Sequence, residues 1–427
     1  MSAAAIVAVA AVIVVWGAVA GRLERVELTA PMVFTVVGGT FAAVGLVDAH
    51  EAPPAVTPLV ELTLVWVLFA DAARVRVHDL RNDLGRVLRL LGIGLPLTVL
   101  AGWGLAGWLF PTLGLWAALL VGAALAPTDA ALGVPVVTNP AVPGRIRRLI
   151  TVESGLNDGI VTPVVLVAVA GIAATGSGGG PTAAGALVEL LIGVAVGVVV
   201  GVAGGRLLRA ARNRGWAAED FVGISVLALA LLGYAAALVV HGNGFVAAFC
   251  AGMAFGGAAG RRGRAELVFL EQASGLVSLL VWLAFGAFAV PVVLRDLDWR
   301  AVLYAVLSLT LVRMVPVALA LVGSGLDRAT VLFVGWFGPR GLASLVFALI
   351  ALEEVGPAAD DAVAVIALTV LLSVLAHGVS ASPLGGRYGA GRGSRGSARD
   401  AGAASVIPVR SLPRTFAVPA PRRVQDE

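Results

Sequence analysis

Lysine is absent from this 427-residue chain, so all 30 basic residues are arginine, the usage of a GC-rich coding sequence. The arginines are scattered over the short segments between apolar runs and over the C-terminal stretch. A net charge of +4 spread in this way does not make a nucleic-acid surface. Cysteine is nearly absent as well. Cys250 alone can form no internal disulfide, and no redox compartment follows from it. With four histidines and no His/Cys cluster, the chain offers no transition-metal centre. No nucleophile–base pair points to an enzyme, and nothing calls for a cofactor. Charge of either sign is scarce: 13% of residues are charged and 59% hydrophobic, against about 25% charged in a soluble domain. What is present is therefore the composition of an all-α polytopic membrane protein. Its 54 glycines suit helices that pack closely in lipid or break in mid-span.

Thirteen apolar runs between residues 4 and 381 have the length of about 17–26 residues needed to cross the hydrocarbon. The first run, 4–20, is followed rather than preceded by arginines (Arg22, Arg25), the reverse of a cleaved signal peptide. Loops after odd-numbered runs hold 18 arginines and loops after even-numbered runs hold 2. This asymmetry predicts a plasma (inner) membrane protein with its N-terminus outside and its C-terminus in the cytoplasm. Residues 1–383 form the transmembrane domain. Residues 384–427, rich in Gly, Ser, Arg, Ala and Pro, read as a disordered basic cytoplasmic tail, either touching anionic lipid or without a role.

Two pairs of runs share the same irregularities. The fourth contains Gly94 and Pro96, and the eleventh Met314 and Pro316. The fifth contains Pro127, Thr128, Asp129, Gly133 and Pro135, and the twelfth Gly335-Trp336-Phe337-Gly338-Pro339-Arg340-Gly341. Runs in corresponding places of two halves of opposite orientation predict inverted repeats. Gly and Pro in mid-span predict two broken helices, whose freed backbone groups can bind ions away from bulk water.

Inside these runs lie charges that are costly at membrane depth and so mark function by default. Asp129, Glu153 and Asp158 fall within thirty residues of one another. On a helix Ser154 and Asp158 share one face, and Glu153 and Asn157 an adjacent one. Asp158, Ser154, Asp129 and Thr128 make an all-oxygen set suited to a hard cation such as Na⁺, Li⁺ or K⁺. Two carboxylates at one site do not both stay ionised, so the set can trade a proton for a cation. Arg340, in the twelfth run, requires a buried anion, and Glu153 is the partner expected for it. Asp71 either lines a cytoplasmic funnel or caps its helix. Arg313 requires a counter-charge, in a structural or a functional role. His377 is expected to make a hydrogen bond rather than relay protons.

Thr128-Asp129, Glu153-Ser154-Gly155-Leu156-Asn157-Asp158-Gly159, Gly335 to Gly341 and His377-Gly378 occur in the order found in the monovalent cation/proton antiporters, and over residues 4–383 the chain resembles that family of NhaP-type and NHE-type sodium/proton exchangers. The resemblance implies thirteen helices in inverted repeats, a homodimer through outer helices and a six-helix core that moves against them. It implies that Asp158 carries proton and cation in alternation, with Asp129, Ser154 and the Thr128 carbonyl contributing. It also implies that Asn157 steadies the site, that Glu153 pairs with Arg340, and that Asn-Asp marks electroneutral exchange. Phe69-Ala70-Asp71 departs from the family, where a glutamate is common. The reading is an antiporter exchanging H⁺ for Na⁺, with Li⁺ or K⁺ as further substrates. The rivals are a K⁺/H⁺ antiporter, or a channel or non-transporting sensor on the same scaffold.

Overall fold

In lipid the backbone must satisfy its own hydrogen bonds, so apolar runs of this length become helices. The structure, a computed structural model, describes residues 3–47, 53–75, 83–129, 132, 134–177, 183–260, 263–295 and 297–390. When the pieces of interrupted helices are joined, thirteen membrane helices run through the described residues. They are α1 (Ala3–Leu23), α2 (Ala30–Ala43), α3 (Pro53–Arg74), α4 (Leu84–Leu109), α5 (Gly114–Ala124 and Val134–Val137), α6 (Gly144–Ser177), α7 (Ala183–Asn213), α8 (Glu219–Val239), α9 (Gly244–Ala258), α10 (Gly263–Arg295), α11 (Trp299–Leu309 and Leu311–Ala320), α12 (Arg328–Trp336 and Leu342–Val355) and α13 (Asp360–Ala390). The last helix runs on through residues 384–390, past the tail boundary expected from composition. Residues 391–427, the rest of the expected tail, lie outside the described residues.

The helices sort into two packed groups. In one, α2 lies along α10, and α9 packs between α3, α7 and α8. In the other, α4, α5, α6, α11, α12 and α13 surround one another. Small residues let α7 and α9 of the first group pack closely. Gly193, Gly197, Gly201 and Gly205 recur every fourth residue on α7, and the backbone or Cβ atoms of Asn243, Ala247, Ala251 and Ala258 occupy the space where their side chains would be.

The matched irregularities appear as matched distortions. A π-helical turn, Leu90–Gly94, precedes Pro96 in α4, and α11 breaks at Thr310 ahead of Pro316. In α5 and α12 the chain leaves the helix altogether, around 125–129 and 337–341. The two breaks cross, joined where Asp129 N–H donates to the Pro339 carbonyl at 2.8 Å.

Candidate functional site

Each broken helix leaves carbonyls at the end of its first piece and amides at the start of its second, without intrahelical partners. In α12, Pro339 has no N–H and disfavours helix in the residue before it, Gly338. Side chains from the opposite break meet the exposed groups. Asp129 Oδ2 accepts the Leu342 N–H at 3.1 Å, a carboxylate at the positive end of a half-helix. Gly341 permits this, since the Asp129 carboxylate lies where a side chain on residue 341 would be. In return, the Arg340 guanidinium donates to the carbonyls of Ala126 (2.6 Å) and Pro127 (3.2 Å), just past the negative end of the first piece of α5, and to Ser308 O at 3.4 Å. Each break thus supplies the charge that the other's helix end favours.

This corrects one expectation. Glu153 does not pair with Arg340. It meets Arg313 of α11 in a two-pronged contact, Nη1–Oε1 at 2.7 Å and Nη2–Oε2 at 2.8 Å, with both residues 1% exposed. The fork of a guanidinium matches a carboxylate in this geometry, and deep burial demands such a match. The Arg340 Nη groups instead donate their hydrogen bonds to three backbone carbonyls. Asp129 also stands differently from the expected paired ligand, with one oxygen on the N-terminus of the second α12 piece.

Next to the crossing, α6 presents its hydroxyl and amide. Thr128 Oγ1 lies 2.9 Å from Ser154 Oγ and accepts the Asn157 Nδ2 hydrogen at 2.8 Å. Thr128, Ser154, Asn157 and Asp158 are all buried, Asp158 least so at 7% exposed. The Asp158 carbonyl accepts from Thr162 Oγ1 at 2.7 Å, so its main chain is held one turn further along. Asn157 Oδ1 is buried without a hydrogen-bond partner, leaving an oxygen donor beside the Thr128–Ser154 pair. The structure therefore brings Thr128, Ser154 and Asn157 into one network, on the turn of α6 that ends in Asp158. Asn157, expected on the Glu153 face as a support, bonds directly to Thr128.

The walls around Asp158 come from the other helix group. On one side of Asp158 along α6, Asp71 lies against Gly155 through its carbonyl and Cβ, and Asp71 Oδ1 is 3.5 Å from Arg74 Nη1, while Arg74 Nε donates to Glu271 Oε1 at 2.8 Å. On the other side the Phe249 ring of α9 covers Gly159 so closely that any Cβ there would collide with it.

Three features escaped the sequence reading. Asp83, just before α4, is buried and gathers Arg86 (3.1 Å), Arg148 (3.9 Å) and Arg145, tying the start of α4 to α6. Gly338 was visible only as a helix breaker, yet its bare Cα lets Arg313 and Thr128 occupy the space a side chain would fill. Ser373 of α13 accepts the Arg340 N–H at 2.7 Å. The signal for Ser373 was legible: with Thr369, His377 and Ser380 it forms a polar stripe along an otherwise apolar run.

A family model described as sodium/hydrogen exchanger, transmembrane, matches residues 8–385. The K(+)/H(+) antiporter NhaP2 of Shewanella sp. (strain MR-4) is 27% identical over 354 residues, covering 80% of this chain and 60% of that protein. A probable Na(+)/H(+) antiporter of Schizosaccharomyces pombe is 25% identical over 362 residues, covering 75% of this chain and 46% of its own. The chain thus spans about 60% of the length of the bacterial relative. The sodium proton antiporter MjNhaP1 of Methanocaldococcus jannaschii, solved at pH 8, superposes with a TM-score of 0.72 at 20% identity over 90% of this chain and 98% of that one, which places the two in the same fold. With a matched region that includes both crossing breaks, α6 and nearly all of α13, the chain belongs to the sodium/hydrogen exchanger family.

Proposed function

We propose that the chain is a secondary antiporter that exchanges H⁺ for Na⁺, with Li⁺ and K⁺ as further substrates, at a single site alternately open to either side of the membrane. The observation that carries this reading is the oxygen cluster that Thr128 of the α5 break makes with Ser154 and Asn157, on the α6 turn that ends in Asp158. Asp158 binds a proton or a cation, and one excludes the other, which couples the two fluxes. Thr128 and Ser154 supply neutral oxygens. Asp129 and Arg340 hold the crossing, and Arg313 neutralises Glu153, so the carboxylate one turn away can change protonation inside a matched frame. Asp71, against Gly155, lines the approach from the cytoplasm.

One carboxylate exchanging one proton for one monovalent ion is electroneutral, and the asparagine at 157 in place of a second aspartate agrees with that. The K⁺ alternative draws support from the bacterial relative, whose name states K(+)/H(+) antiport. In cells the exchange would serve pH and cation homeostasis in the plasma membrane, with the N-terminus outside and the C-terminus inside. We infer a homodimer through α1 and α7. Only 22% of the apolar stretch of α1 and 17% of that of α7 are buried within one chain, and lipid would cover what a partner does not. Residues 384–427, apart from the end of α13, would act as a basic tail near anionic lipid.

The test is exchange in proteoliposomes loaded with a pH dye, with Na⁺, Li⁺ or K⁺ added to a preset pH gradient. At least one cation should dissipate the gradient at a rate insensitive to a clamped membrane potential. If all three leave it intact, the antiport reading fails. Asp158→Asn should abolish exchange, and in the wild type the cation KM should rise as pH falls, because protons compete for the same carboxylate.

A further inference from the structure

His377 takes no part in the proposed exchange, yet both of its ring nitrogens are engaged in a fully buried setting. Nε2 lies 2.9 Å from the Trp336 carbonyl. Nδ1 lies 3.2 Å from Ser373 Oγ and 3.0 Å from Ser373 O. The ring stacks on Trp336 with centroids 5.2 Å apart, and Trp336 Nε1 donates to Ser380 Oγ at 3.0 Å. Trp336 ends the first piece of α12, so its carbonyl lacks the usual helical partner and accepts the Gly338 N–H at 2.8 Å beside His377. A carbonyl can only accept, which places a hydrogen on Nε2. Ser373 Oγ accepts the Arg340 N–H at 2.7 Å and also bonds to Nδ1, so the ring is linked to Trp336 before the α12 break and to Arg340 within it.

The line runs on toward the ion site. Arg340, whose main chain Ser373 holds, clasps the carbonyls of Ala126 and Pro127, the two residues before Thr128. We infer that His377, with a hydrogen on Nε2, is a positioning residue of the cation site: through Trp336 and through Ser373 it holds the α12 break in the place from which Arg340 sets the Thr128 backbone. This inference rests on the antiport reading and adds to it a residue that touches neither ion. A residue that merely stabilises the fold would change the amount of intact protein and leave the cation KM alone. A positioning residue raises KM in the protein that does fold.

The experiment measures cation KM and maximal rate in proteoliposomes for the wild type, His377→Ala, His377→Gln, His377→Asn and Ser373→Ala, each normalised to monodisperse protein. His377→Ala and Ser373→Ala should raise KM about tenfold, the equivalent of about 1.4 kcal/mol. His377→Gln, whose amide can reach the Nε2 position, should return KM to within about threefold of wild type, and His377→Asn should not. If His377→Ala does not fold, Ser373→Ala against His377→Gln makes the same comparison. Unchanged KM in the folded Ala variants overturns the inference, and so does rescue by Asn but not Gln. No exchange by the wild type would instead overturn the antiport reading itself, so the two failures are distinguishable.

Discussion

Replacing Glu153 by Gln leaves the Arg313 guanidinium, 1% exposed, facing an amide that cannot accept its charge. The two contacts at 2.7 and 2.8 Å are lost as an ion pair, and water cannot enter to compensate. Removing one member of such a buried pair costs about 3–5 kcal/mol, whereas replacing both by apolar groups of similar size is often close to neutral. Glu153→Gln and Arg313→Met should therefore each lower the heat tolerance of the purified protein sharply. The double variant should lose no more than either single one, which corresponds to a coupling energy of about 3–5 kcal/mol. The assay is a double-mutant cycle on the temperature at which half of the protein loses its monodisperse peak. A parallel cycle with Arg340→Met provides the contrast. Arg340 binds carbonyls rather than Glu153, so Glu153→Gln and Arg340→Met should combine nearly additively. Additive losses in the Arg313 cycle, or stronger coupling in the Arg340 cycle, would refute the pairing.

Thr128→Val keeps the shape but removes the oxygen bonded to Ser154 and Asn157, so cation KM should rise about tenfold or more in proteoliposome exchange while Thr128→Ser stays near wild type. Gly338→Ala would push a methyl group to 2.9 Å from Thr128 Cγ2 and against the Arg313 guanidinium, so exchange should fall at least about tenfold although the protein still reaches the membrane; near-normal KM and rate would sink this reading of Gly338. Asp83→Asn leaves Arg86, Arg145 and Arg148 around a neutral amide, which should lower thermal tolerance by about 1–3 kcal/mol with little change in KM; a changed KM with unchanged tolerance would contradict the bracing role.

The readable part of the site was the part governed by local spacing. Ser154 and Asp158 share a face of α6 because a helix repeats every 3.6 residues, and Ser154 does meet Thr128. The breaks in α5 and α12 were visible because Gly and Pro end helices through their own backbones. The partner of Glu153 was misread for a physical reason. Arg340 and Arg313 are both embedded arginines, and their need for a counter-charge looked alike from sequence. Carbonyls released by a broken helix are invisible until the break is placed, and they are what the Arg340 Nη groups meet.

By itself, then, the sequence determined thirteen membrane helices, the two that break, and the α6 face that bears Ser154 and Asp158, because bilayer thickness, helical period and Gly/Pro chemistry act over twenty residues or fewer. Only the tertiary structure decided which charges meet. Glu153 and Arg313 are 160 residues apart, and Asp129 and Leu342 are 213 apart. Contacts at that separation depend on how α6, α11 and the two broken helices cross, and on carbonyls and amides that every residue carries and no residue type reveals.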